Sequence, residues 1–155
     1  MTLRHIDGTA LSADTAQTPG MLREEAISGT SVGSDRLWMG RTTVAPEVRS
    51  ADHHHGESET AIYVVSGHPE FVFLDGDGDT ERRVRTNPGD YVYVPPFAPH
   101  REENPNPTED AVVVIARTTQ QAIVVNLPSL RGARQEDSPV PGAGRRPDGD
   151  RKSVV

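Results

Sequence analysis

Three consecutive histidines and two nearby carboxylates, in the run HHHGESE from His53 to Glu59, are the densest group of coordinating side chains in a chain that has only six histidines. On an extended backbone side chains alternate, so His53 and His55 project to one face and His54 to the other. Two imidazoles on one face converge on a single cation when the strand bends. A carboxylate brought back by a turn at Gly56 can supply a further ligand, with Glu59 the first choice and Glu57 the second. Imidazole plus carboxylate suits Fe, Mn, Ni, Cu or Zn. The competing reading is a solvated histidine loop.

A second segment weighs against the loop. From Gly89 the chain reads GDYVYVPPFAPHREEN, in which Pro95, Pro96 and Pro99 stiffen the approach to a fourth histidine, His100. The two segments together resemble the cupin superfamily of small metal-binding β-barrels, whose motifs run approximately G(x5)HxH(x3–4)E(x6)G and G(x5)PxG(x2)H(x3)N. Gly89, Pro95, His100 and Asn104 fall at the spacing of the second motif, and His53, His55 and Gly67 at that of the first. Two glycines of the pattern are replaced, by Glu47 and by Phe97. The resemblance implies a metal held by His53, His55, His100 and a carboxylate. Counting forward from His55 makes that carboxylate Glu59, at the cost of one extra residue, a bulge, before Gly67. Counting back from Gly67 puts Thr60 at the metal and leaves a three-histidine site.

The same resemblance implies a cupin-type double-stranded β-helix, a jelly-roll barrel, and the punctuation of the chain independently asks for an all-β fold. Thirteen prolines and fourteen glycines separate short runs rich in Val, Ile, Tyr and Phe. Strands are predicted at Leu22–Ile27, Leu37–Val44, Ala61–Ser66, Glu70–Leu74, Arg82–Arg85, Tyr91–Val94, Ala111–Thr118 and Ile123–Leu127. The expected walls of the barrel interior are Ile62, Val64, Phe71 or Val72, Phe73, Tyr91 or Val92, and Val113 or Val114. Trp38 and Met39 read as core or dimer packing, and His5 and His68 as surface groups.

Asp75 to Asp79, DGDGD, has the alternating acids of a calcium loop, but an EF-hand also needs Gly at its sixth position and Glu at its twelfth. Thr80 and Thr86 stand there, so a hairpin turn is expected. The domain reading is an N-terminal segment with an edge strand over 1–35, the barrel over 36–130 and a disordered tail over 131–155, where Pro, Gly and charge leave almost nothing apolar to bury.

A formal charge of -7 argues against a nucleic-acid surface. The absence of cysteine removes thiolate nucleophiles, thiolate metal sites and disulfides. No apolar run approaches a membrane span of about 20 residues, so a cytoplasmic protein is expected; the segment TPGMLREEAISG is expected to cover the barrel edge or pair with a second subunit, which makes a homodimer the expectation. The functional expectation is a metal-dependent enzyme on a small organic substrate, with Fe2+ the first choice and Mn2+, Ni2+ or Zn2+ the others. Its reaction is read as dioxygenase-like oxidation, with isomerisation or cyclisation next and a non-enzymatic binding module as the third class. Glu57, Glu59 and Tyr63 are the candidate proton carriers.

Overall fold

Strict alternation of buried and half-buried residues runs through two strands, β2 (Trp38–Val44) and β9 (Ala111–Arg117), which pair antiparallel along their whole length. Each inward residue meets an inward partner in this register, as Trp38 does Arg117 and Thr42 does Val113. In the computed structural model, which describes residues 2–132, this pair is the middle of a five-stranded antiparallel sheet. β4 (Thr60–Ser66) and then β7 (Tyr91–Val94) extend it on one side, and β1 (Met21–Ile27) forms the opposite edge. A second sheet has the order β10 (Val125–Asn126), β3 (His53–His54), β8 (His100–Glu103), β5 (Glu70–Leu74) and β6 (Glu81–Arg85). The one helix among the described residues is a single capped turn, α1 (Gly29–Val32). None is long and apolar enough to cross a membrane.

Two antiparallel sheets of this kind form the jelly-roll barrel the sequence leads one to expect. The core lies between them and is built from Trp38, Ile62, Val64, Phe71, Val94, Val113 and Ile115, with Val92 and Ala98 packed at its margin. A smaller cluster of Met21, Val44 and Ala111 ties the edge strand β1 to β2 and β9. Of the alternatives left open for the walls, Val92 and Val113 face inward, while Tyr91 is 79% exposed.

The predicted strands agree with the observed ones to within a residue or two, except that Ile123–Leu127 shrinks to two residues. Two short strands, β3 and β8, add to those the sequence predicts. DGDGD is a hairpin turn: the Asp75 N–H donates to the Thr80 carbonyl at 2.8 Å, and β5 and β6 pair around it. The Asp77 carboxylate accepts from the backbone N–H groups of Asp79 and Thr80, both at 2.9 Å, so its oxygens are engaged by the turn itself. Arg131 and Gly132 close a turn with Ser129; the remainder of the expected tail lies outside the described residues.

Candidate metal centre

The period of two that aims His53 and His55 together also operates on β8. His100 and Glu102 face the barrel interior, while Arg101 and Glu103 face outward into a salt-bridge network with Asp52, Glu81, Glu70 and Arg83. β3 pairs with β8 so that His53 lies directly opposite His100. The result is a cluster of His53, His55, His100 and Glu102 whose ligand atoms lie within 4.8 Å of one another. The three imidazole rings sit 4.4 to 4.9 Å apart, centroid to centroid.

Each of these rings is oriented by a backbone carbonyl. The Nδ1 atoms of His53, His55 and His100 lie 2.8, 2.9 and 2.9 Å from the carbonyl oxygens of Ala51, Ile123 and Ala98. A carbonyl only accepts, so Nδ1 carries the proton and donates, which leaves Nε2 as the atom with the free lone pair. This is the arrangement that outer partners impose on metal-binding imidazoles. His54 is the internal control: its Nδ1 accepts from the Gly56 N–H at 2.9 Å, its ring packs against Phe97, and it takes no part in the cluster.

The residues fit a divalent cation on two counts. His100 Nε2 is buried with no hydrogen-bond partner, 3.8 Å from a Glu102 carboxylate oxygen and therefore beyond hydrogen-bond reach of it. An unpaired buried nitrogen is costly unless something with positive charge meets it. Protonation equilibria point the same way. Burial pulls His55 down to about 4 and also lowers His53, so both stay neutral and able to bind at pH 7. Burial works against a charge on His100 too, but the neighbouring Glu102 outweighs it and raises its pKa. Burial works to raise Glu102 in turn, yet His100 and the other two imidazoles hold it down to about 2.

Glu59 is not part of it. The irregularity in β4 falls between Val64 and Ser66, so Thr60, Ile62 and Val64 all face inward and Glu59 faces out. Its carboxylate accepts a hydrogen bond from the exposed Tyr93 hydroxyl at 2.8 Å. The ligand assignment of Glu59 is therefore corrected: the carboxylate beside the three histidines is Glu102, supplied by the second motif. Glu57 and Tyr63 are also on the outside, which removes them as proton carriers at this site. Thr60, the alternative from the other spacing, is buried and lines the cavity next to the cluster. Glu102 was missed, although HREE carries the signal: it lies two residues beyond His100, the same spacing that links His53 to His55.

The two glycine replacements have a conformational counterpart. Glu47 and Phe97 are the non-glycine residues with positive φ among those described, at 59° each, so both keep the left-handed backbone of the glycine they replace. At Gly67 the glycine is required, since a Cβ there would meet the Ala111 Cα and the Asp110 carbonyl oxygen at 2.8 Å. Asn104, buried at the end of the second motif, donates from Nδ2 to the Val44 and Glu109 carbonyls and so ties β8 to β2.

A cavity of about 540 Å³ adjoins the cluster, with His53, His55 and Glu102 in its wall. Its walls include Met21, Thr60, Ile115 and Ile123, and the segment preceding β1 closes part of its rim. Ile62, Val64 and Val113, the expected wall residues, pack into the core instead.

Comparison with known proteins agrees with this architecture. Residues 40–116 match the model of the cupin domain family. A polyketide cyclase, RemF from Streptomyces resistomycificus, superposes with a TM-score of 0.67 at 23% identity over 81% of this chain and 85% of its own. An oxalate oxidase in complex with glycolate gives 0.60 at 19% identity over 74% of this chain and 59% of its own. Peruvianin-I, a cysteine peptidase from Thevetia peruviana latex, gives 0.63 at 14% over 78% of this chain and 75% of its own, although no cysteine is present here. No curated protein sequence is similar to the chain. At these identities the shared feature is the barrel.

Proposed function

The chain belongs to the cupin superfamily, and on that footing we propose that it is a metal-dependent enzyme in which His53, His55, His100 and Glu102 hold one divalent transition metal beside a substrate cavity. The observation that carries the reading is the buried Nε2 of His100, which no protein group satisfies, set among two neutral imidazoles and an ionised carboxylate. Three nitrogens and one oxygen suit Fe2+ first, with Mn2+, Ni2+ and Zn2+ as the other choices. An ion so held supplies Lewis acidity or, as Fe2+, oxygen activation. The protein contributes rings fixed by backbone carbonyls, a Glu102 whose backbone N–H donates to the Ser50 hydroxyl at 3.0 Å, and the partly apolar walls of the adjoining cavity.

The reaction favoured here is oxygen-dependent oxidation of a small organic substrate. Metal-assisted cyclisation or isomerisation is the second reading, which draws support from the superposition of a polyketide cyclase over 81% of this chain. A test begins with elemental analysis of protein made without a histidine tag, beside a His100→Ala variant. Equal metal content in the two would remove the proposed centre. Oxygen uptake over a panel of dicarbonyl and phenolic compounds then separates oxidation from the redox-neutral readings, and inertness of fully metal-loaded protein toward the whole panel would favour a binding module.

A further inference from the structure

Three arginines are among the residues that line the cavity beside the cluster. Arg23 comes from β1, Arg117 from the end of β9 and Arg49 from the loop before β3, while Glu102 is the one carboxylate among the lining residues. Even before a metal adds its charge, the lining carries three positive charges against one negative, in a chain whose formal net charge is -7. Among the described residues, ion pairs within 4.0 Å form on Arg41, Arg82, Arg83, Arg101 and Arg131, and none of the three cavity arginines has one. Glu102 and Glu25 act on Arg23 and Arg117 from a distance, but neither comes within ion-pair reach of them.

Packing accounts for part of Arg117. Its Nε and Nη2 donate to the Thr119 and Gln120 carbonyls at 3.0 and 2.9 Å, and its guanidinium lies 3.9 Å over the Trp38 ring. Arg23 has a single anchor, from Nη1 to the Ala16 carbonyl at 2.6 Å, which leaves most of its five N–H donors uncommitted. The two charges are close enough to matter to each other. Burial first, and then the like charge of Arg23, bring Arg117 down to about 10 against an opposing contribution from Glu25. Burial likewise lowers Arg23, opposed by Glu102. Two like charges, one half-buried and one buried, around one cavity are unfavourable for the empty protein, and an anion bound by both relieves them.

We propose that the cavity takes an anionic substrate, a carboxylate borne on an apolar aromatic or enolic skeleton, with Arg23 and Arg117 gripping the carboxylate and the skeleton lying against Met21, Ile115 and Ile123. The volume of about 540 Å³ accommodates a two-ring acid, and a planar guanidinium matches a carboxylate with two parallel hydrogen bonds. This assignment deepens the reading of the cluster as the active centre and rests on it for the word substrate, but the anion site itself is a property of the arginines.

The test is calorimetric titration of the full-length, metal-loaded protein with 2-naphthoate and with 2-naphthamide, which share a shape and differ in charge. The acid is expected to bind at least roughly tenfold more tightly than the amide. Arg23→Gln should abolish most of that preference while leaving metal content and amide affinity unchanged, and Arg23→Lys should restore part of it. Equal binding of acid and amide, failure of both to bind, or wild-type acid affinity in Arg23→Gln would overturn the proposal. Repeating the titration after chelation separates the two readings. Protein that never takes up metal yet keeps an Arg23-dependent preference loses the metal centre and keeps the anion site, whereas metal-loaded protein without the preference does the reverse.

Discussion

The two sheets of the barrel solve different problems. The sheet β1-β2-β9-β4-β7 alternates apolar and polar side chains and supplies six of the seven core residues, from Trp38 to Ile115, whereas β5 of the other sheet adds only Phe71. The sheet β10-β3-β8-β5-β6 instead turns His53, His100 and Glu102 inward and dresses its outer side with Arg101, Arg83, Glu70 and Glu103. One sheet stabilises by removing apolar surface from water, and the other positions charge and lone pairs on the platform the first provides. Division of this kind predicts that fold and metal binding can be damaged separately.

The largest expected effect is on the first sheet. Ile62 is 2% exposed at the centre of the core, and Ile62→Ala should cost about 2–5 kcal/mol in urea denaturation. Metal bound per folded molecule should not change. If the metal were lost in proportion to stability, the two sheets would be one cooperative device and the distinction would collapse.

The opposite injury comes next. Glu102→Gln and His100→Ala should each lower metal affinity at least about tenfold, while the chelated variants lose far less stability than Ile62→Ala. Glu59→Ala should leave metal content at the wild-type level, since its carboxylate reaches only the exposed Tyr93 hydroxyl. A drop in metal on removing Glu59, with none on changing Glu102, would reverse the ligand assignment.

Legibility from sequence followed the same division. β2, β4 and β9 announce themselves because burial on one face imposes a period of two on their apolar residues. HH and HREE impose no such pattern, since both faces are polar: His53, His100 and Glu102 gather in the cluster, while Arg101 and Glu103 pair charges on the outside. The strands that carry the centre were therefore the ones unseen, and Glu102 with them. The grouping of His53, His55 and His100 is legible because their spacing, unlike their strands, is a matter of counting residues. Bulge placement was beyond that count. A bulge nearer Glu59 would have turned it inward, and the irregularity falls instead between Val64 and Ser66, where it leaves Thr60 facing the cavity.

A smaller effect probes the outer side of the second sheet. Arg101 bonds to Glu103 at 2.6 Å, Glu81 at 3.0 Å and Asp52 at 3.2 Å, and its side chain is only 16% exposed. Arg101→Ala should cost about 1 kcal/mol at low ionic strength, more than a lone exposed pair because three carboxylates lose their partner together. That cost should shrink in 1 M salt as screening weakens the pairs in the wild type. The Ile62→Ala deficit should not shrink with it, because screening does not act on a cavity in an apolar core. Equal salt responses would mean that the second sheet, like the first, is held by burial.

The smallest effect separates motif from mechanism. Glu47 stands where the family pattern has glycine, precedes the first histidine by six residues, and holds φ at 59° with its side chain exposed and its N–H bonded to the Asn106 carbonyl at 3.1 Å. A left-handed non-glycine residue costs about 1–2 kcal/mol, and glycine returns roughly half of that through its freer unfolded chain. Glu47→Gly should therefore gain about 0.5 kcal/mol and raise Tm by about 2 °C. Glu47→Ala keeps the strain and should gain nothing, which isolates the backbone from the loss of a charge. Neither change should alter metal content, because Glu47 lies in the turn before β3 and outside the cluster of imidazoles. A shift in metal affinity with Glu47→Gly would show instead that strain in this turn is transmitted to His53, and the two sheets would then share a joint at the place where the chain crosses from β2 to β3.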